Sequence, residues 1–433
     1  MKKLLEIALK TADSAEIYKL DTINHSVSFE NSRLMEMESS FQSGVSLRLL
    51  KNGRQGFAFT KNLRDRLCLV KNALVSLSGA VEAPFELPRT AKLPRLSTFD
   101  KSISMVTTAE LAAECDRVSK LLDSKTKAQA NVAGILITTR LSILNSSGTD
   151  LKQKHSTYVL VPAVLFPGTC TSISRISAKK TFKPADGSLL DFITGTYNSA
   201  REEVVPASGK MKVMFMPEVM YALFWRIKAG VSGESLYRKT TPLAGKIGQK
   251  IFSDRITIYN DPLDDSEPGA RSFDDEGTAC RKYPIVEKGV FRNFYFDLLH
   301  AGKMKVPPTG NGFRSAMWGG DRVTMKPGSA LTHPRFKTGS KSFSEMVESM
   351  DEGIIVAHAL GAHSGNIPNG DLSIGLSPGL YVKDGKIRGH VKDAMVTGNI
   401  YEMFNNVLEI ENELHDGDPA ILFDQVSVAT RKK

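Results

Sequence analysis

Apolar positions change period several times along the chain, and each change marks an element. Residues 3–19 place Leu4, Leu5, Ala8, Ala12 and Ala15 at helical spacing, which predicts an opening amphipathic helix. From His25 the period drops to two: Ser26–Glu30 and Leu34–Glu38 alternate as half-buried strands do. Gly44–Leu50 and Arg54–Thr60 flank Lys51-Asn52-Gly53 and predict a hairpin, because Asn-Gly accepts the positive φ angles of a tight turn. Leu63, Leu67, Val70, Leu74 and Leu77 trace a second helix. Residues 83–98 hold Pro84, Pro88 and Pro94 without a clear period and predict a connector.

Thr107 with Glu110 three residues later makes a capping box that starts a helix through Leu111, Cys115, Val118 and Leu122. Strands are expected at Gly134–Thr138 and Leu141–Leu144, then a long one over Lys152–Phe166, then a helix over 187–203. This order predicts an α+β fold whose N-terminal domain, 1–205, is a two-layer α/β region with antiparallel strands and a sub-boundary near 83–98. Pro206-Ala207-Ser208-Gly209 marks the boundary to a C-terminal domain, 206–433, predominantly antiparallel β with a few helices. There Met211–Met216 reads as a strand, Pro217 as the first position of a helix, and Val219, Met220, Leu223, Phe224 and Ile227 as its buried stripe. Ile256–Tyr259, Tyr283–Glu287 and Val290–Phe296 read as strands, the last two joined by a turn at Lys288-Gly289. Between the first two lies an acid-rich loop with Asp261, Asp264, Asp265, Glu267, Asp274, Asp275 and Glu276. Those carboxylates suit a hard cation, a basic or amino-terminal group, or capping and solvation; charge runs are usually solvated faces, so capping leads.

Composition narrows the classes. With 433 residues, 41% hydrophobic and 24% charged, the chain is ordinary for a soluble globular protein of two or three domains. A net charge of +10 permits attraction to nucleic acid or anionic surfaces. The basic residues are scattered, though, and cluster tightly only at Arg431-Lys432-Lys433, so direct nucleic-acid binding is not the expectation. Cys68, Cys115, Cys170 and Cys280 are far apart and show no C-x-x-C spacing, which suits a reducing compartment. Glu6 and Lys10 interrupt any signal-like apolar run at the start, and no stretch approaches a membrane span; the expectation is cytoplasmic. There is no G-x-S-x-G and no phosphate-cradling glycine motif between a strand and a helix.

An ordered set of segments resembles the TldD/PmbA family, whose paired TldD and TldE proteins are named as modulators of DNA gyrase. The segments are SGVSLRLLKNGRQGFAFT, SGESLYRKTTPLAGKIGQKIFSDRITIYNDP, FDDEGTACRKYPIVEKGVFRNFYFDLLHA, SGNIPNGDLSIGLSPGLYVKDGKI and VTGNIYEMFNNVLEIENEL. In the peptidase branch of that family a helix carries His-Glu-x-x-x-His about eight residues before an Arg-Lys pair, two histidines holding zinc and the glutamate activating water. Counting back from Arg238-Lys239, those places fall on Trp225, Arg226 and Gly230. Trp and Gly offer no ligand and Arg cannot act as a base, so the resemblance is to the TldE/PmbA branch without its own zinc hydrolysis.

The resemblance implies a non-metal subunit of a cytoplasmic peptidase system that binds unfolded peptide and supports a zinc-bearing TldD-type partner. The rival is a homodimeric binding or regulatory protein without catalysis of its own. Neither needs a cofactor in this chain; zinc is expected only in the partner. The substrate-binding candidates are Arg238, Asp275, Glu276, Arg314, His363, Asn366, Asp371 and Ser373. Arg314 offers a two-pronged grip on a peptide carboxylate. His363 to Asn366 lie in a Gly-rich stretch suited to lining a cleft, and Gly370-Asp371-Leu372-Ser373 resembles a family Gly-Asp-Phe-Ser segment. His358 and His363, five apart in that stretch, do not reproduce the face of an H-x-x-x-H helix.

Overall fold

The computed structural model describes residues 1–79, 81–90 and 92–431. Ala91 of the expected connector, and Lys432 and Lys433 of the basic cluster, lie outside the described residues.

The first helical pattern yields only a short helix, α1 (Lys2–Ala8). The chain then enters a 17-residue strand, β1 (Ser14–Glu30). Ala12 and Ala15 prolong the helical spacing, but β1 pairs along its whole length with β2 (Arg33–Lys51) and, from Glu16 to Glu30, with Ala130–Asn145 further on. Two full ladders outweigh local propensity, and Ala15 keeps its buried place on the sheet. The expected strands at 26–30 and 34–38 are the ends of β1 and β2, joined through Asn31 and Ser32 at positive φ. The next hairpin leads into β3 (Arg54–Thr60) and turns on Asn52 and Gly53, with φ of 51° and 67°, as the Asn-Gly pair predicts.

After α2 (Arg66–Val75) and α3 (Thr108–Thr126), the latter held by the reciprocal Thr107–Glu110 cap, come β4 (Ala130–Asn145) and β5 (Asp150–Leu165). The two strands expected within 134–144 are thus one. The antiparallel sheet runs β3-β2-β1-β4-β5, with two short strands, Ser172–Ser174 and Ser177–Lys179, both pairing β5. Alternation along β1 decides what each face meets. Ala15 and Ile17 pack with Leu4, Ala8, Leu69 and Val70 of α1 and α2. Tyr18, on the opposite face, packs with Phe273 and Val323 of the C-terminal half. The following helix, α4 (Gly187–Ser199), ends four residues short of its expected bound.

In the C-terminal half a nine-stranded mixed sheet forms among the described residues. Its only parallel pair is Gly209–Phe215 with Glu352–Val356; the other ladders are antiparallel. A turn at Pro217–Val219 opens α5 (Met220–Gly230), whose Met220, Leu223, Phe224 and Ile227 are buried. Tyr283–Glu287 pairs with Ile258–Asn260 and with Val290–Phe291, turning on Lys288 and Gly289. The last strand, expected to reach Phe296, stops at Phe291 because Tyr295 pairs instead with the Val231–Ser232 segment after α5. One hydrophobic cluster takes in Val27 and Leu111 of the N-terminal half together with Val213, Leu223 and Phe423.

Candidate functional site beside helix α5

Arg226 is wholly buried on α5, and among the described residues its guanidinium bonds to no carboxylate. It donates instead to four backbone carbonyls: Ala222 at 2.7 Å, Ala362 at 2.9 Å, Ser364 at 2.7 Å, and Asp371. Burying a charge costs several kcal/mol unless dipoles or counterions replace water, and four carbonyl oxygens do so here. Burial pushes the guanidinium down to about 10, against the pull of Asp371, so it stays charged at neutral pH. The consequence is mechanical: both ends of the Gly-rich 362–371 loop are fastened to α5.

Aromatic rings line the same helix. Tyr221 and Trp225, one turn apart, meet edge to face at 5.1 Å; Trp225 meets Trp318 at 5.8 Å, and Trp318 meets His363 at 5.1 Å. Trp318 is 72% exposed, so this row presents an uncovered aromatic surface above the fastened loop. It contains both tryptophans of the chain.

The three places that answer to the zinc motif do not fit a metal. Trp225 is committed to the aromatic row, and Arg226 brings a positive charge and no lone pair. At Gly230 an added Cβ would lie 2.1 Å from the Tyr401 hydroxyl, so a histidine has no room there unless Tyr401 moves. Among the described residues no three His, Cys, Asp or Glu side chains converge as a metal site.

A second cluster fills the seam between the N-terminal sheet and the C-terminal half. Arg48 of β2 donates to Glu16 of β1 at 2.8 Å and to Glu276 at 2.5 Å, all three nearly devoid of exposure. Burial raises Glu276 to about 7, with Arg48 pulling the other way. Asp274 accepts from the N–H groups of Glu276, Thr278 and Gly312; burial and the Glu276 charge push it well above the usual carboxylate range. Asp275 receives Arg271 at 2.8 Å, Arg322 at 2.9 Å and the Arg314 N–H at 2.9 Å. Burial would raise its pKa, but Arg322 and Arg271 overcome this and hold it well below the usual range. Arg314 lies over the Tyr18 ring at 4.1 Å and donates to the Met325 carbonyl. Elsewhere in the acid-rich loop Asp261 pairs with Lys282, Asp264 accepts from Ser266, and Asp265 accepts from the Ser97 N–H.

The candidate residues therefore separate into three places. His363, Asn366, Asp371 and Ser373 gather on or beside the fastened loop: the first three are exposed, and Ser373 is half-buried in the strand Asp371–Leu376. Asp275, Glu276 and Arg314 are buried together in the seam. Arg238 stands apart, exposed and paired with Glu234 one turn earlier at 2.9 Å. Sequence reasoning missed the outward role of Trp318, the fastening role of Arg226, and the Arg271–Arg322 pair around Asp275. Two tryptophans in 433 residues, one on the motif helix, was the signal that could have drawn attention to the first.

Fold and site together define an α+β scaffold in which α5 carries Trp225, Arg226 and Gly230 beside a clamped Gly-rich loop. The family model for the PmbA/TldA metallopeptidase C-terminal domain matches residues 208–430, and that for metallopeptidase domain 1 matches 15–83. The chain belongs to the PmbA/TldD metallopeptidase family. It is similar to TldE of Thermococcus kodakarensis, with a TM-score of 0.88 at 24% identity over 99% of each chain. It is 25% identical to a metalloprotease of Methanothermobacter thermautotrophicus, covering 88% of this chain and 84% of that one. It is 23% identical to a PmbA-homologue metalloprotease of Buchnera aphidicola, covering 96% and 92%. Among the described residues no helix is long and apolar enough to cross a membrane.

Proposed function

We propose that the chain is a TldE/PmbA-type subunit that binds an extended peptide along the aromatic row and leaves hydrolysis to a zinc-bearing TldD-type partner. The observation that carries this is Arg226. A buried cation, bonded to four carbonyls, replaces the general base of the motif and turns a metal helix into a clamp for the 362–371 loop. The surface above it is built for contact rather than chemistry. Trp318 and His363 offer flat faces to apolar side chains, and the half-buried Ser373 and exposed Asp371 and Asn366 offer hydrogen bonds to an extended backbone.

The test is reconstitution. The chain and a TldD-type protein of the same organism are assayed for cleavage of an unfolded peptide, alone and mixed. A stable complex whose activity exceeds that of the partner alone is the expected result. A chain that forms only self-dimers and leaves the partner's activity unchanged would favour the homodimeric, regulatory alternative.

A further inference from the structure

A cavity of about 340 Å3 opens at the seam, and the peptide-subunit reading makes no use of it. Thr139, His155 and Thr157 of β4 and β5 form one side; Arg271, Arg322 and His333 of the C-terminal half form the other. Its volume sits at the small end of ligand sites, enough for a compact molecule and not for a folded segment.

The charge around it does not close. Arg48, Arg271, Arg314 and Arg322 share Glu16, Asp275 and Glu276 as counterions. Asp274, the fourth buried carboxylate of the seam, accepts only from backbone N–H groups and is pushed by burial well above the usual carboxylate range, so one guanidinium is in excess wherever Asp274 holds its proton. Asp275 also lines the cavity, but its two oxygens already accept from Arg271, Arg322 and the Arg314 N–H. Arg271 is 6% exposed, and its Nε has no hydrogen-bond partner among the described residues. The Phe313 ring beneath its guanidinium, at 5.3 Å, keeps water from that face. Arg322 is one-third exposed, which leaves an approach from outside. His155 and His333 are pushed down to about 3 and about 4, chiefly by burial, so near neutrality they are uncharged. Excess buried guanidinium charge beside neutral donors and hydroxyls is the chemistry that captures an oxyanion.

We propose that this cavity binds a small oxyanion, a carboxylate or a phosphate, gripped by Arg271 and Arg322 and completed by Thr139, Thr157 and His155. Because its walls come from both halves, the bound anion also fastens the halves together, and it stabilises the fold by mass action. The proposal does not rest on the peptide-subunit reading.

Full-length protein is titrated by calorimetry and followed by thermal unfolding at constant ionic strength. The probes are inorganic phosphate, N-acetylglycine and N-acetylglycine amide. At least one anion is expected to bind and raise Tm while the amide does neither. Arg322→Gln should weaken that binding about tenfold or more, as loss of a charged hydrogen-bond donor does. Thr157→Val, close in shape to the parent, should weaken it severalfold and serves if Arg322→Gln does not fold. Response to N-acetylglycine alone marks a chain-terminal carboxylate as the source, and response to phosphate alone marks a phosphoryl group. An equal response to the amide, binding that the folded variants leave unchanged, or no binding by either anion overturns the proposal.

Discussion

Nη2 of Arg226 lies 2.7 Å from the carbonyl oxygen of Ser364, and among the described residues no side chain of opposite charge bonds to that guanidinium. The bond joins a helix to the loop that carries His363 and Asn366, so loop order should depend on this one cation. Arg226→Met keeps the length and removes every donor; it should cost on the order of 3 kcal/mol, since buried carbonyls lose charged partners. Arg226→Lys keeps the charge but not the fork and should cost less. Urea unfolding measures both. Hydrogen exchange over 362–371 is the sharper readout: unchanged protection in a folded Arg226→Met would show that the loop does not need the clamp.

Trp225 and Trp318 are the chain's two tryptophans and they touch, so tryptophan fluorescence, excited selectively over tyrosine, reports on this place alone. An unfolded peptide that lies on the row should shift or quench the emission. Trp318→Ala should weaken peptide binding about fivefold, the scale of one aromatic pairing of about 1 kcal/mol. Trp318 is 72% exposed, so its removal should leave the melting temperature nearly unchanged. Peptide affinity equal to that of the parent would remove the aromatic row from the binding surface.

Much of this fold is legible in the sequence because local and global signals agree there. Asn52-Gly53 fixes a hairpin, Thr107 and Glu110 fix a helix start, and the stripe from Met220 to Ile227 is buried as its spacing requires. Where they conflict, partners decide. Residues 14–19 carry a helical pattern yet lie in β1, because strands on both sides are available to pair with it. The candidate site is legible only in part. The Gly-rich loop, and the positions of Trp225, Arg226 and Gly230 counted back from Arg238-Lys239, can be read along the chain. The four carbonyls around Arg226 cannot, since backbone oxygens of the helix itself and of the distant 362–371 loop have no signature in residue identity. The seam is hidden for a similar reason. Glu16, Arg48 and Glu276 are ordinary charged residues in sequence, and only the stacking of the two halves buries them together.

His333 lends itself to a pH test. Its Nε2–H donates to the Gly269 carbonyl at 2.7 Å and its Nδ1 accepts from the Thr332 hydroxyl at 2.8 Å, so the neutral ring is fully satisfied. Burial, reinforced by Arg271 and opposed by the bond to Gly269, lowers it to about 4. A base depressed by folding binds its proton more readily in the unfolded chain, whose histidine titrates near 6.5. Its contribution to stability is therefore complete above pH 6.5 and is lost as pH falls from there to about 4. Glu276 acts in the opposite sense: raised to about 7, it favours the fold more as pH falls from 7 toward 4.5. The two windows overlap, so the parent's profile alone cannot assign either group. His333→Gln preserves a donor for Gly269 and removes the titration. Unfolding free energies should be compared from pH 7 to 4.5 in buffers free of carboxylates and phosphate. The variant should lose stability less steeply on acidification, the difference in slope approaching about 1.4 kcal/mol per pH unit for one proton. Parallel profiles would mean that His333 takes up its proton equally in both states, and that its burial does not hold it neutral.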